Sequence, residues 1–99
     1  PFVGFVNVLV VTDLVDFSTC KLVRLSLTYE DDSNLIMERK DYVFTPSKKE
    51  NQSWQVGICD QANTKYAWQA TYFMNDNTQR TAGSQSAMDQ TLVLEVPRA

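Results

Sequence analysis

The chain has 99 residues, 43% hydrophobic and 21% charged, which is enough for one buried core and excludes a disordered or fibrous chain. The net charge is −3, and the nine Lys and Arg are scattered apart from the pair Lys48-Lys49, so no clustered basic face is available for nucleic acid. Histidine is absent, which removes the commonest general base, metal ligand and triad partner together.

In chain order, alternation of apolar and polar residues recurs in short runs between polar loops, and no stretch sustains an apolar face at helical spacing. The first strand runs over Phe5–Val11, with Val6, Val8 and Val10 on one face and Phe5, Leu9 and Val11 on the other. With both faces apolar, this strand is either buried on both sides or packs on a neighbour. Being seven residues interrupted by Asn7, it is far short of the roughly 20 needed to cross a bilayer, and no membrane insertion is expected.

A turn follows over Asp13–Thr19, from which Leu14, Val15 and Phe17 can tuck under the core. The second strand, Lys21–Tyr29, points Val23, Leu25 and Leu27 inward and is broken by Glu30-Asp31-Asp32-Ser33-Asn34, whose side chains compete for backbone hydrogen bonds. The third, Leu35–Phe44, carries Glu38-Arg39-Lys40-Asp41 on both faces, which suits an edge protected against pairing. After a loop over Ser47–Gln52, the strand Ser53–Ile58 turns Trp54, Val56 and Ile58 inward.

Beyond the turn Asp60–Thr64, the strand Lys65–Met74 has the strongest pattern, with Tyr66, Trp68, Ala70 and Tyr72 on one face and Ala67, Gln69, Thr71 and Phe73 on the other. Asn75-Asp76-Asn77-Thr78 is a turn, the polar stretch to Gln90 is expected as a long loop or a poorly formed edge, and the strand Thr91–Val96 closes the domain with Leu92, Leu94 and Val96 inward. The expected fold class is all-β, a two-sheet antiparallel sandwich of about seven strands. Linker-like ends at Pro1 and Val96-Pro97-Arg98-Ala99 suggest that residues 1–99 form one sandwich domain excised from a multidomain chain. The strand phases put Cys20 and Cys59 outward, which favours free thiols over a disulfide. Two cysteines without histidine are also too few for a zinc site.

The run Asp60-Gln61-Ala62-Asn63-Thr64-Lys65-Tyr66, followed by Trp68, Ala70 and Tyr72, resembles the E–F turn and F strand of fibronectin-type-III and related immunoglobulin-like domains. The resemblance implies a tyrosine corner, in which the Tyr66 hydroxyl bonds back to upstream backbone. Trp54 resembles the large inward aromatic of such cores, whereas the cysteine–tryptophan–cysteine spacing of antibody domains is missing. A spacer or adhesion-type module of a secreted or cell-surface protein is what the family likeness implies.

The acids Glu30, Asp31 and Asp32, with Asp13, Asp16, Asp60 and Asp76, could supply oxygens to calcium, but their spacing matches no dedicated calcium loop and reads as solvated turns. No metal and no cofactor are expected. Paired carboxylates abound, yet no base, cleft or activated nucleophile accompanies them, and no enzymatic activity is expected.

Trp68, Tyr72, Tyr42 and Trp54 are candidates for a carbohydrate-stacking platform, weighed against core packing because most fall in the inward phase of their strands. Asn51-Gln52-Ser53 is a formal N-glycosylation acceptor. The leading expectation is a non-enzymatic structural or interaction module, extracellular or at the cell surface, whose partners are neighbouring domains of its own chain or another protein. The alternative is a carbohydrate-binding accessory module of a hydrolase. If Trp54 packs between the sheets, Trp54→Ala should cost about 3–5 kcal/mol in a denaturant melt. A loss below about 1 kcal/mol would place that ring at the surface.

Overall fold

The computed structural model describes all 99 residues. Seven strands form in chain order: β1 (Gly4–Val11), β2 (Cys20–Asp31), β3 (Ile36–Phe44), β4 (Gln52–Ile58), β5 (Tyr66–Met74), β6 (Gln79–Ala87) and β7 (Thr91–Val93). The chain makes no α-helix, only a 3-10 turn over Asp32–Asn34, and no helix is long and apolar enough to cross a membrane. One sheet has the order β4-β1-β7 and the other β3-β2-β5-β6. They stack as an all-β sandwich.

The core lies between the inward stripes of the two sheets. Val6, Val8 and Val10 of β1 and Trp54, Val56 and Ile58 of β4 face Val23, Leu25, Leu27 and Tyr29 of β2 and Tyr66, Ala70, Tyr72 and Met74 of β5. Period-2 alternation sets these stripes directly, because successive side chains of a strand leave opposite faces of the sheet. Leu92 and Leu94 close one side, with Val96 half-buried against them. The charged strand β3 is an edge of the four-stranded sheet, as its composition predicts.

Four sequence expectations need correction. Cys20 is buried, because the β2–β5 register shifts between Cys20 and Leu22 and the bulge reverses the phase extrapolated from Val23. Both cysteines are free thiols. The polar stretch after Asn77 is not a loop: Gln79–Ala87 forms the full edge strand β6, whose small residues pair with β5 while Ala87 is buried and Ala82 packs on the core. The final strand is shorter than Thr91–Val96, and it runs parallel to β1, pairing Leu9 with Thr91 and Val11 with Val93. Of the turn residues, Val15 is buried and Phe17 packs on the core, whereas Leu14 is exposed.

One turn and two strand glycines show why particular residues stand where they do. Asn77 ends the β5–β6 turn at φ 68, a left-handed conformation that asparagine tolerates better than most residues. Gly83 lies so close to β5 that a Cβ there would sit 2.5 Å from the Trp68 carbonyl oxygen, whereas a Cβ on Gly57 would meet the Phe2 ring at 2.5 Å. Main chain inside a ladder cannot swing aside, but an exposed terminal ring can. Gly83→Ala should therefore cost about 1–3 kcal/mol, the range for overpacking, and Gly57→Ala clearly less. Equal losses for the two variants in urea melts would refute this account.

Candidate functional site

The four aromatics expected to form a platform do not assemble into one. Trp54 is 7% and Tyr72 1% exposed, so both serve the core. Trp54 meets the Tyr66 ring edge-on, at 6.2 Å between centroids, and burial pushes the Tyr72 hydroxyl up to about 12 against a backbone hydrogen bond from the Glu95 side. Tyr42 and Trp68 are half-buried, but they stand on β3 and β5 with the buried Leu25 and Leu27 of β2 between them. Tyr42 stacks on Phe44 at 6.0 Å and donates its hydroxyl to the Ser53 carbonyl at 3.3 Å. Tyr42 and Trp68 therefore form no shared platform.

Tyr66 forms no tyrosine corner. Its hydroxyl donates to the carbonyl of Asp89, 2.7 Å away in the β6–β7 connection, because the ring enters from the inner face and the nearest unpaired backbone lies downstream. The β4–β5 turn is fastened from β2 instead. Tyr29 donates to the Asn63 carbonyl at 2.7 Å, and Asn63 Nδ2 donates to the Glu30 carbonyl at 3.0 Å. Burial is the main influence that raises both tyrosine hydroxyls above their ordinary range.

The acidic residues build turns. Asp16 accepts from the backbone N–H and hydroxyl of Ser18, and Asp76 from those of Thr78, which holds both carboxyls below the usual carboxylate range. Asp60 accepts from the Ala62 N–H at 2.9 Å, and Asp31 caps the 3-10 turn by accepting from the Asn34 N–H at 3.3 Å while also accepting from Asn34 Nδ2 at 2.7 Å. No group of three or more acidic, cysteine or histidine side chains converges as a metal-ligating set. Asn51 of the glycosylation triplet is exposed, but its Oδ1 accepts the Thr12 N–H at 3.0 Å and ties the loop to the end of β1.

The candidate site is the outer face of the sheet β4-β1-β7. With Val6, Val8 and Val10 directed inward, β1 turns Phe5 and Leu9 outward at 55% and 41% exposure, so this strand is not buried on both faces. Phe2 is 62% exposed; its ring lies over Gly57 and tilts against Phe5 at 6.1 Å. Val93 of β7 extends the stripe beside Val11 at 45% exposure. Polar residues interrupt it: Gln55 donates to Asn7 Oδ1 at 2.9 Å across β4 and β1, and Leu9 is flanked by Ser53 of β4 and Thr91 of β7. The outer face of the other sheet is mixed, with Arg24, Ser26 and Thr28 of β2 beside Thr71, Gln69 and Ala67 of β5, Leu22 paired with Phe73 at one end, and Val43 and Met37 exposed on β3. The only sequence signal for the apolar stripe was a strand with hydrophobic residues in both phases.

Compared with protein families, curated proteins and solved structures, the chain matches none.

The two tyrosine hydroxyls can be tested separately. Tyr29→Phe and Tyr66→Phe keep each ring and leave a carbonyl without its donor, so each should cost about 1–3 kcal/mol in urea melts with unchanged m-values. Tyr29→Phe should also speed amide exchange around Asn63, and Tyr66→Phe around Asp89. The reverse pattern would show that the fastenings were wrongly assigned.

Proposed function

We propose that the chain is a non-enzymatic interaction module, a spacer or adhesion-type sandwich of a larger secreted or cell-surface protein. It packs on a neighbouring domain through the outer face of β4-β1-β7. The observation that carries this reading is the stripe of Phe2, Phe5, Leu9 and Val93 on one outer face while the opposite outer face is mixed. Contiguous apolar patches with aromatic residues mark interaction surfaces, because leaving them in water forgoes the free energy of burial.

The strand order supports an immunoglobulin-like relationship of a particular kind. Taken as the first strand of that fold, β1 should share a sheet with β2, and it does not. Taken as the second strand, its pairing with β4 and the order β3-β2-β5-β6 reproduce the B–E pair and the C′-C-F-G sheet. The place of the first strand is then filled by β7, running parallel to β1. Chemistry in place of binding has little support, since the chain has no histidine and Asp16, Asp31, Asp60 and Asp76 are engaged in turns. The carbohydrate reading has no paired rings to rest on.

Hydroxyl-radical footprinting tests the reading directly. Phe2, Phe5 and Leu9 should be labelled in the isolated chain and protected in the parent protein. The double substitution Phe5→Ser with Leu9→Ser should change the stability of the isolated chain by no more than about 1 kcal/mol, since both side chains are largely exposed. It should also release the packed neighbour. Equal labelling of these residues in both settings would overturn the proposal.

A further inference from the structure

β6 closes one end of the four-stranded sheet and is paired only with β5. The hairpin fixes which of its backbone groups are used. Met74 donates to the Thr78 carbonyl and accepts from the Asn77 N–H, so the backbone of Met74, and by alternation of Tyr72, Ala70 and Trp68, points at β6. Their register partners Arg80, Ala82 and Ser84 supply the ladder. The N–H and C=O groups of Thr81 and Gly83 point the other way, and no turn, loop or side chain bonds to them; past Ser84 a bulge in β6 ends the regular edge.

The other three edges are obstructed. β3 carries Glu38-Arg39-Lys40-Asp41, β7 has only three residues, and on the free side of β4 the Ser53 carbonyl is occupied by the Tyr42 hydroxyl. β6 has nine residues, no proline, no acid and one charge, Arg80, with the sequence otherwise Gln, Thr, Ala, Gly and Ser. Long edges of this kind are usually blunted by charge, proline or cover. Here a groove runs along the edge, lined by Trp68, Ala82, Gly83 and Ser84.

We propose that β6 is a homodimer seam, at which β6 of a second copy pairs antiparallel about a two-fold axis at Ala82. The register is self-complementary. Thr81 stands opposite the second copy's Gly83, and about four backbone hydrogen bonds close between these outward-facing residues, within the regular part of β6. Arg80 faces Ser84 of the second copy, so the one charge of the strand never meets itself. Small side chains on both sides let the backbones approach, and the second strand covers the groove beside Trp68. A foreign peptide would need pockets for its alternate side chains to be selected, and this edge has only shallow relief. Two-fold closure also uses up the edge, whereas β6 on β3 would give an open-ended array against the charged strand.

Sedimentation velocity of the chain from about 5 to about 500 μM, the range where a small polar interface associates, should show a monomer–dimer equilibrium. In a Trp54→Phe background, which leaves Trp68 as the only tryptophan, emission should shift to the blue as concentration rises. Amide exchange at Thr81 and Gly83 should slow by about tenfold or more in the dimer. Thr81→Lys places like charges diagonally across the axis on the exposed face, and Thr81→Pro deletes an outward N–H that β5 does not use; both should be monomeric with unchanged circular dichroism. The pair Phe5→Ser with Leu9→Ser should leave the dimer intact, which separates this seam from the apolar face. A wild-type chain that stays monomeric throughout, a dimer that survives both edge variants, or one abolished by the face variant would each overturn the proposal.

Discussion

Val6, Val8 and Val10 hold the sandwich together, because β1 is the only strand that β4 and β7 pair with. The three valines are almost wholly buried against the inward stripes of β2 and β5, and each contributes about 1.5–3 kcal/mol by removal from water. If β1 left its place, β4 would lose its only ladder and β7 its only support, so the smaller sheet stands or falls as a unit. The larger sheet is organised differently. Its two central strands, β2 and β5, pair with each other and with β3 and β6, so it can lose an edge without losing its spine.

That dependence explains the two-faced character of β1. A strand that must bury one stripe fully needs only polar residues in the other phase, as β2 has with Arg24, Ser26 and Thr28. β1 spends its outer phase on Phe5, Leu9 and Val11, which add little to the folded chain while two of them remain in solvent. The cost is an exposed apolar surface on the strand least able to tolerate misassembly. A neighbour that covers this face would reinforce β1, and through it the whole smaller sheet.

The fold was legible where alternation is unbroken and where turn chemistry is local. β1, β4 and β5 are set by period 2, β3 is marked as an edge by its charges, and Asn75-Asp76-Asn77-Thr78 makes the expected turn. Reading failed where one residue shifts the phase or where the partner is distant in sequence. The bulge between Cys20 and Leu22 turned a buried thiol into an apparent surface residue. β6 has no hydrophobic stripe because an edge strand half covered by a small sheet needs none, so its residues look like a loop. Tyr66 has the right side chain for a corner, but its hydroxyl partner lies 23 residues downstream, and local spacing carries no information about that. The same limit hides the parallel approach of β7 to β1. Of the candidate site, only the doubled apolar phase of β1 could be read; the contributions of Phe2 and Val93 come from tertiary placement.

The polar side chains that sequence inspection singles out for chemistry are largely engaged in holding the chain together. Asp16, Asp60 and Asp76 close turns, Asp31 caps the 3-10 turn, Asn51 ties a loop to β1, and Tyr29 and Tyr66 fasten connections to strands. The Asp16 and Asp76 carboxylates, each accepting two local donors, are held below the usual carboxylate range and turned toward their own backbone, which makes them poor general acids. What remains uncommitted is of another kind: apolar area on one outer face and unpaired backbone along one edge. Neither performs a reaction, but both gain free energy when covered, the first through burial and the second through hydrogen bonding. The two surfaces belong to different sheets, so covering one does not by topology occupy the other. A neighbour on β1 and a strand on β6, the two contacts proposed above, would therefore not exclude one another.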